Sequence, residues 1–425
     1  MNAKKKAPRI LFYIGFIILI YLLLELFAFA CYYLFANKII SSSKKFLEQK
    51  AFTQKTDFEV IHPYLGSVCN PEANAPSLTE FHGKPISQYG FIDDKDPVFH
   101  KSDKEIIIGI FGGSFAHWFS VYGADSLIRM IKRSPSLRDK DIVIVRTALF
   151  GYKQPQQLMA LTYLLGLGAK FDIVINLDGF NDIILPITDN IPKQIFPFYP
   201  RNWLKLINEL PDSSSRILVG EIAYLQGRRE RLVTLLNSRL RYSFLVKLVG
   251  EAYNIKLLCA IYNKELDLLN LNTQAKTRDY ILTGPSITYS NEQDMYNSLA
   301  YIWYTCSLQM HRLCKANHIQ YYHFLQPNQY VPGTRKLSGE EKRVAYCERS
   351  PYRVLVNEGY PYLRREGIEL NNQGVNFHDL TPIFNECRDT VYVDGCCHIS
   401  EAANAILGAK IGEIILKAQG PGKKN

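Results

Sequence analysis

The sequence predicts an α/β protein: a three-layer, doubly wound parallel sheet, interrupted by a helical insertion and preceded by one transmembrane helix. Three observations carry this reading. Short β-branched apolar runs alternate with helical spacings over residues 104–184 and again over 291–425. Between them, over residues 185–290, the alternation stops and leucine-rich, arginine-bearing helical stretches replace strands. Residues 10–36 are almost wholly apolar.

As a helix, residues 10–36 would measure about 40 Å, enough to cross a hydrocarbon core of roughly 30 Å. Glu25 interrupts the run, and two readings stand: a carboxyl with a partner or function inside the membrane, or one close to the outer interface. Ala28-Phe29-Ala30 before Cys31 has the small-x-small form of a cleavage site, but apolar residues continue through Phe35, which favours an uncleaved anchor. Lys4, Lys5, Lys6 and Arg9 assign residues 1–9 to a cytoplasmic tail, although Lys38, Lys44 and Lys45 on the other side leave the charge bias weak. Residues 37–103 read as a polar stalk followed by an irregular lead-in containing HPYLGSVCNPEANAPS.

The regular domain begins near residue 104. EIIIGIF (105–111), DIVIVRTALF (141–150) and FDIVINL (171–177) read as parallel strands covered on both faces. Helical spacings at 122–135 and in PQQLMALTYLLGLG link them, with Pro155 at a helix start. In the insertion, Leu232, Leu236, Leu240 and Phe244 recur every four residues, with Arg228, Arg229, Arg239 and Lys247 elsewhere around the helix. That face suits either an anionic membrane surface or a solvated cationic lid. From 292 a long helix, the strand IQYYHFL, the loop PNQYVPG, a helix near 352–366, the strand VNFHDL and a closing helix complete the alternation.

Composition narrows the function classes. The formal charge is +10, with four cations in the N-terminal tail, and no finger, RRM or HTH pattern follows, so no nucleic-acid partner is expected. There are nine cysteines and no C-x-x-C, which argues against a zinc ribbon. The adjacent Cys396 and Cys397 beside His398 do not have ordinary metal-ligand spacing either; a packed or disulfide-bonded loop fits better, and Cys347 with Cys387 or Cys396 is the first pairing to test. No metal and no cofactor are expected.

In an open parallel sheet, reactive groups gather beyond the carboxyl ends of the strands. After the first strand, Gly112-Gly113-Ser114 places a hydroxyl at a helix start, near main-chain N–H groups; the same stretch also makes an ordinary cap. After the second strand, Gly151 offers a backbone N–H or simply a bend. After the third, LDGFNDI brings Gly179, Asn181 and Asp182 to the crevice, where the Asn181 amide suits an oxyanion and all three residues suit a turn. Near the C-terminus Asp394 and His398 share one loop, an imidazole for proton transfer and a carboxylate to orient it. His117, one turn beyond Ser114, either touches a substrate or is a helix polar residue. Asn328 and Gln326 either line the cleft or satisfy loop backbone, and Trp118 and Trp203 either stack on a sugar or pack in the core.

This order of motifs resembles the SGNH (GDSL-like) hydrolases over roughly residues 60–417, and specifically a membrane-anchored, extracytoplasmic branch of them. The resemblance implies an SGNH/flavodoxin-like sheet with Ser114 as nucleophile and His398 as general base. Asp394 would orient His398, and an oxyanion hole would form from Gly151, Asn181 and the Ser114 N–H. It further implies a single-pass protein with its N-terminus cytoplasmic and an esterase acting on O-acyl groups of a small molecule or cell-surface glycan. An O-acyltransferase with the same residues, or a non-catalytic glycan-assembly protein, remains open; protein partners are not indicated. Two departures stand out: Gly113 replaces the family's Asp, and Asp394 lies four residues before His398 instead of three, with Asp379 as the reserve acid. HPYLG, QYGFIDD and FLQPNQYVP also match that branch, without an assigned task.

Overall fold

The computed structural model describes residues 7–36, 58–72, 84–207, 213–274 and 280–418; residues 1–6 of the tail and the stalk at 37–57 lie outside the described residues. The chain divides into two compact units, residues 1–55 with 207–279, and residues 56–206 with 280–425.

The second unit is α/β. Its small antiparallel hairpin pairs β1 (Glu59–His62) with β2 (Gly66–Cys69). Its main sheet is all parallel: β3 (Glu105–Gly112), β4 (Asp141–Arg146), β5 (Ile173–Asp178), β6 (Gln320–Leu325) and β7 (Asn376–Asp379), in the order β4-β3-β5-β6-β7. Register aligns apolar residues across the sheet, Ile108 with Ile144 and Ile173, and Ile175 with Tyr322. The chain steps one way from β3 to β4 and the opposite way from β4 to β5. Right-handed crossovers therefore put the connecting helices on opposite faces and open a crevice between the ends of β3 and β5. Helices Ser114–Tyr122 and Ala124–Ile131 pack with the closing helix Glu401–Ala418, while Glu292–Ala316 packs with Gln156–Gly166 and Pro351–Asn372. Phe111, Phe119, Trp303, Phe324 and Tyr360 are wholly buried in the core.

Three expectations change here. The lead-in expected to be irregular contains the β1–β2 hairpin, because Gly66 takes φ +80° at its bend and Val60 and Val68 face each other across it. Residues 185–206 belong to the α/β unit, so the helical segment is shorter than 185–290. The second strand stops at Arg146, because Asp93 accepts hydrogen bonds from the Arg146 backbone N–H at 2.8 Å and its guanidinium at 2.9 Å and fixes the turn there.

Among the described residues of the first unit, one helix, Phe12–Leu34 over 23 residues, is long and apolar enough to cross a membrane. Helices Ser213–Leu236 and Phe244–Gln274 pack on each other through Ile222, Ile261 and Leu268. The every-fourth stripe does not lie on one helix, since the chain turns between Leu236 and Phe244. Glu25 has an internal partner: its carboxylate accepts the Phe244 and Leu245 N–H at 2.7 and 3.3 Å, with the Ser243 hydroxyl and the Tyr21 hydroxyl also donating. A carboxylate at a helix N-terminus satisfies orphan donors and complements the dipole, which accounts for an acid within an apolar run. Phe29 against Phe244 (4.9 Å between ring centres) and Lys247 over Tyr32 (4.4 Å) complete that contact.

Candidate active site

Ser114 is the first residue of its helix, immediately after β3. Its Oγ lies 2.9 Å from His398 Nε2, and His398 Nδ1 lies 2.5 Å from Asp394 Oδ2. The chain hydroxyl–imidazole–carboxylate thus spans 284 residues of sequence. It is accessible: the His398 and Asp394 side chains are 22% and 42% exposed.

The four-residue spacing has a local explanation. A bridge between Tyr392 and Ile399 closes the loop, and Val393 N–H donates to His398 O at 3.0 Å. Inside it, Asp394 Oδ1 accepts three successive N–H groups, Cys396, Cys397 and His398, at 2.9, 3.1 and 3.2 Å. The carboxylate therefore folds the loop with one oxygen and meets the imidazole with the other. Burial opposes its ionisation, but the bond and charge of His398 and the loop amides outweigh that and hold Asp394 below the usual carboxylate range. Asp379 is engaged elsewhere, ion-paired with Arg364 at 2.9 Å.

Braces from outside hold this loop. Three consecutive side chains of the proline-containing loop after β6 donate to its carbonyls: Asn328 to Cys396 (3.1 Å), Gln329 to Asp394 (2.9 Å) and Tyr330 to Gly395 (3.0 Å). Upstream, fully buried Glu341 accepts the Val391 and Tyr392 N–H at 3.0 and 3.2 Å and takes both arms of Arg335 at 3.0 Å. Burial works against a charged Glu341, but Arg335 and the Ser338, Val391 and Tyr392 amides win and bring its pKa down to about 2. A folded pKa below the ordinary value stabilises the fold above about pH 4.3, and that contribution, of about 3 kcal/mol, is lost as pH falls toward the folded value. Glu341→Gln is expected to lower the melting temperature near neutrality and to flatten the acid-side loss between about pH 4.5 and 2. Melts across that range for both proteins check it.

On the other side of Ser114, a Cβ at Gly113 would lie 2.2 Å from Asn181 Nδ2 and 3.1 Å from the Tyr152 carbonyl. Glycine there lets the Asn181 amide close on the Gly113 backbone, while that amide donates to Tyr152 O at 2.8 Å. Gly151, at φ +77°, precedes Tyr152. Ser114 N–H is in the first helical turn, where no intrahelical acceptor exists.

The remaining expected contacts fall differently. Asp182 is buried and cross-links the loops after β4 and β5, accepting Gln154 N–H at 2.7 Å and Gly179 N–H at 3.1 Å; burial and the nearby Asp178 raise its pKa. Gly179, at φ +120°, has Leu325 where a Cβ would go. His117 is wholly buried, its ring 4.9 Å from Phe150, because the helix face carrying it turns into the core. Asn328 is buried and its side-chain amide donates to the loop as described. Trp118 is half-buried with its ring 6.2 Å from His398, while Trp203 donates to Ile281 O at 2.7 Å. All nine cysteines are free thiols, so the expected Cys347 pairing does not form. Cys396 Sγ instead faces Cys397 Sγ at 3.7 Å. With His398 these two could hold a metal by proximity, yet both nitrogens of His398 are already engaged by Ser114 and Asp394.

A second chain of the same residue types lies in the core: Ser307 Oγ is 2.7 Å from His323 Nδ1, and His323 Nε2 is 2.8 Å from Asp178 Oδ1. Trp303 Nε1 (2.6 Å) and Asn176 Nδ2 (2.7 Å) also donate to that carboxylate. Ser307 and His323 are fully buried, so no substrate reaches them. Access, not residue type, separates the two chains.

Neither a family model nor a curated protein matches this chain. Among solved structures it is similar to two variants of Axe2, an acetyl-xylooligosaccharide esterase from Geobacillus Stearmophilus. Each is 10% identical with a TM-score of 0.32; the alignments cover 75% and 76% of this chain and 96% and 97% of those. A superposition this loose says nothing about the reaction.

Proposed function

We propose that the chain is a membrane-anchored serine esterase of the SGNH type, hydrolysing O-acyl esters of carbohydrate on the outer side of the membrane. The observation that supports it most is the solvent-accessible Ser114–His398–Asp394 chain at 2.9 and 2.5 Å, flanked by the Asn181 amide. His398 takes the Ser114 proton as Oγ attacks the ester carbonyl. The oxyanion forms beside the Ser114 and Gly151 N–H groups and the Asn181 amide, and His398 then protonates the departing sugar oxygen. Water, deprotonated by the same imidazole, cleaves the acyl-serine and releases the acid. Asp394 fixes the tautomer and stabilises the imidazolium. Residues 10–36 supply the anchor, and the lysines before them keep the N-terminus inside.

Product analysis tests this. Full-length protein in detergent, given O-acetylated oligosaccharide, is expected to release acetate in equal amount to deacetylated sugar. Acetyl groups recovered on a second sugar, without free acetate, would replace hydrolysis by transfer.

A further inference from the structure

Four arginines of the α/β unit are only partly exposed: Arg146, Arg201, Arg335 and Arg364. Three are ion-paired, Arg146 with Asp93 at 2.9 Å, Arg335 with Glu341 at 3.0 Å and Arg364 with Asp379 at 2.9 Å. Arg201 has neither an ion pair nor a hydrogen bond among the described residues, and its Nε is buried. Desolvating a cation is costly without a counter-charge, so an unpaired, half-buried guanidinium needs a reason.

Its position supplies one. A Cβ at Gly151 would sit 2.6 Å from Arg201 Nε and 2.8 Å from Cζ, so the guanidinium lies directly on the glycine that precedes Tyr152, whose carbonyl accepts the Asn181 amide packed against Gly113, the neighbour of Ser114. The turn that presents it is built from several sides. Buried Lys153 donates to Tyr199 O, Asn190 Nδ2 donates to the same oxygen at 3.2 Å, Asp189 accepts Asn202 N–H at 2.7 Å, and Pro200 fills the space above Gly66. Tyr352, edge-on to Phe180 at 5.5 Å, has its phenol pKa raised by burial, with the charge of Arg201 acting against that rise. The nearby carboxylate of Glu59 forms no ion pair with it; it accepts the Ser67 hydroxyl at 3.2 Å, and burial raises its pKa against the opposing charge of Arg201.

We infer that Arg201 is the anion-recognition residue of this site, and that the acylated substrate carries a carboxylate or phosphate group that pairs with the guanidinium while its ester lies at Ser114. The inference rests on the esterase reading above for the ester, and on the unpaired guanidinium beside Gly151 for the anion. A planar fork binds either group through two N–H donors, so the two sources share one chemistry.

The test compares three probes on full-length protein in detergent: acetylated methyl glucuronoside, acetylated glucose 6-phosphate and acetylated methyl glucoside. Wild type is expected to prefer an anionic probe in kcat/KM, and the larger preference tells carboxylate from phosphate. In Arg201→Gln the anionic-to-neutral ratio is expected to fall by about 10- to 100-fold, the range for a charged hydrogen-bonded contact. Arg201→Lys should retain part of it. An unchanged ratio in Arg201→Gln, or no anionic preference in wild type, overturns the inference. Should wild type hydrolyse none of the probes, the esterase reading fails separately. Calorimetric binding to Ser114→Ala then decides the anion question: tighter binding of an anionic probe, lost on adding Arg201→Gln, sustains it, and equal binding of charged and neutral probes overturns it.

Discussion

Ser114→Ala is expected to lower kcat on acetylated sugars by about four to six orders of magnitude, the size seen when a serine nucleophile is removed from a group that acts as a unit. Ser114 is half-exposed at the head of a helix whose buried face includes Phe115, Ala116 and Phe119, and among the described residues its hydroxyl bonds only to His398. Losing it removes no packing, so the melting temperature should stay close to wild type. The pairing of a large kinetic loss with an intact fold marks a nucleophile; activity retained at wild-type rates would rule Ser114 out.

Asp394→Ala is expected to be the next most damaging change, by about three to four orders of magnitude in kcat, as for a triad carboxylate. It acts twice. His398 loses the 2.5 Å partner that sets its tautomer, and the Cys396, Cys397 and His398 amides lose the oxygen that shapes their loop. Asp379→Ala separates this from the alternative acid. Asp379 binds Arg364 and the Thr381 N–H, so its removal should affect stability and leave kcat within about threefold. Rate assays and melts on both variants decide between them; a greater kcat loss in Asp379→Ala would reverse the assignment.

The parallel strands were legible because a strand covered on both faces is a nearly continuous apolar run, as β3 is from Ile106 to Phe111 and β5 from Ile173 to Ile175. The order of chemistry-bearing loops was legible for the same reason, since loops after parallel strands share one edge. Less was readable where local and distant forces compete. The β1–β2 hairpin hides in a stretch of Pro, Gly and Asn because its stability comes from neighbours: Tyr152 donates its hydroxyl to Ser67 O at 2.6 Å from 85 residues away. The Asn328-Gln329-Tyr330 braces read as an ordinary polar loop, their partners being some 65 residues downstream. His117 and Asp182 have the right chemistry at the right spacing, and only packing shows that both point inward. Arg201 carries no sequence signal, since one arginine in PFYPRNW looks like any loop cation until Gly151 is seen beneath it.

The central claim is that His398 activates Ser114 for attack on an acyl-like electrophile. Incubating full-length protein with a fluorophosphonate probe and mapping the modified peptide tests it most directly. Label on Ser114, greatly slowed in His398→Ala, is the expected result. A protein that stays unlabelled while folded, or that labels at another residue, would contradict the account.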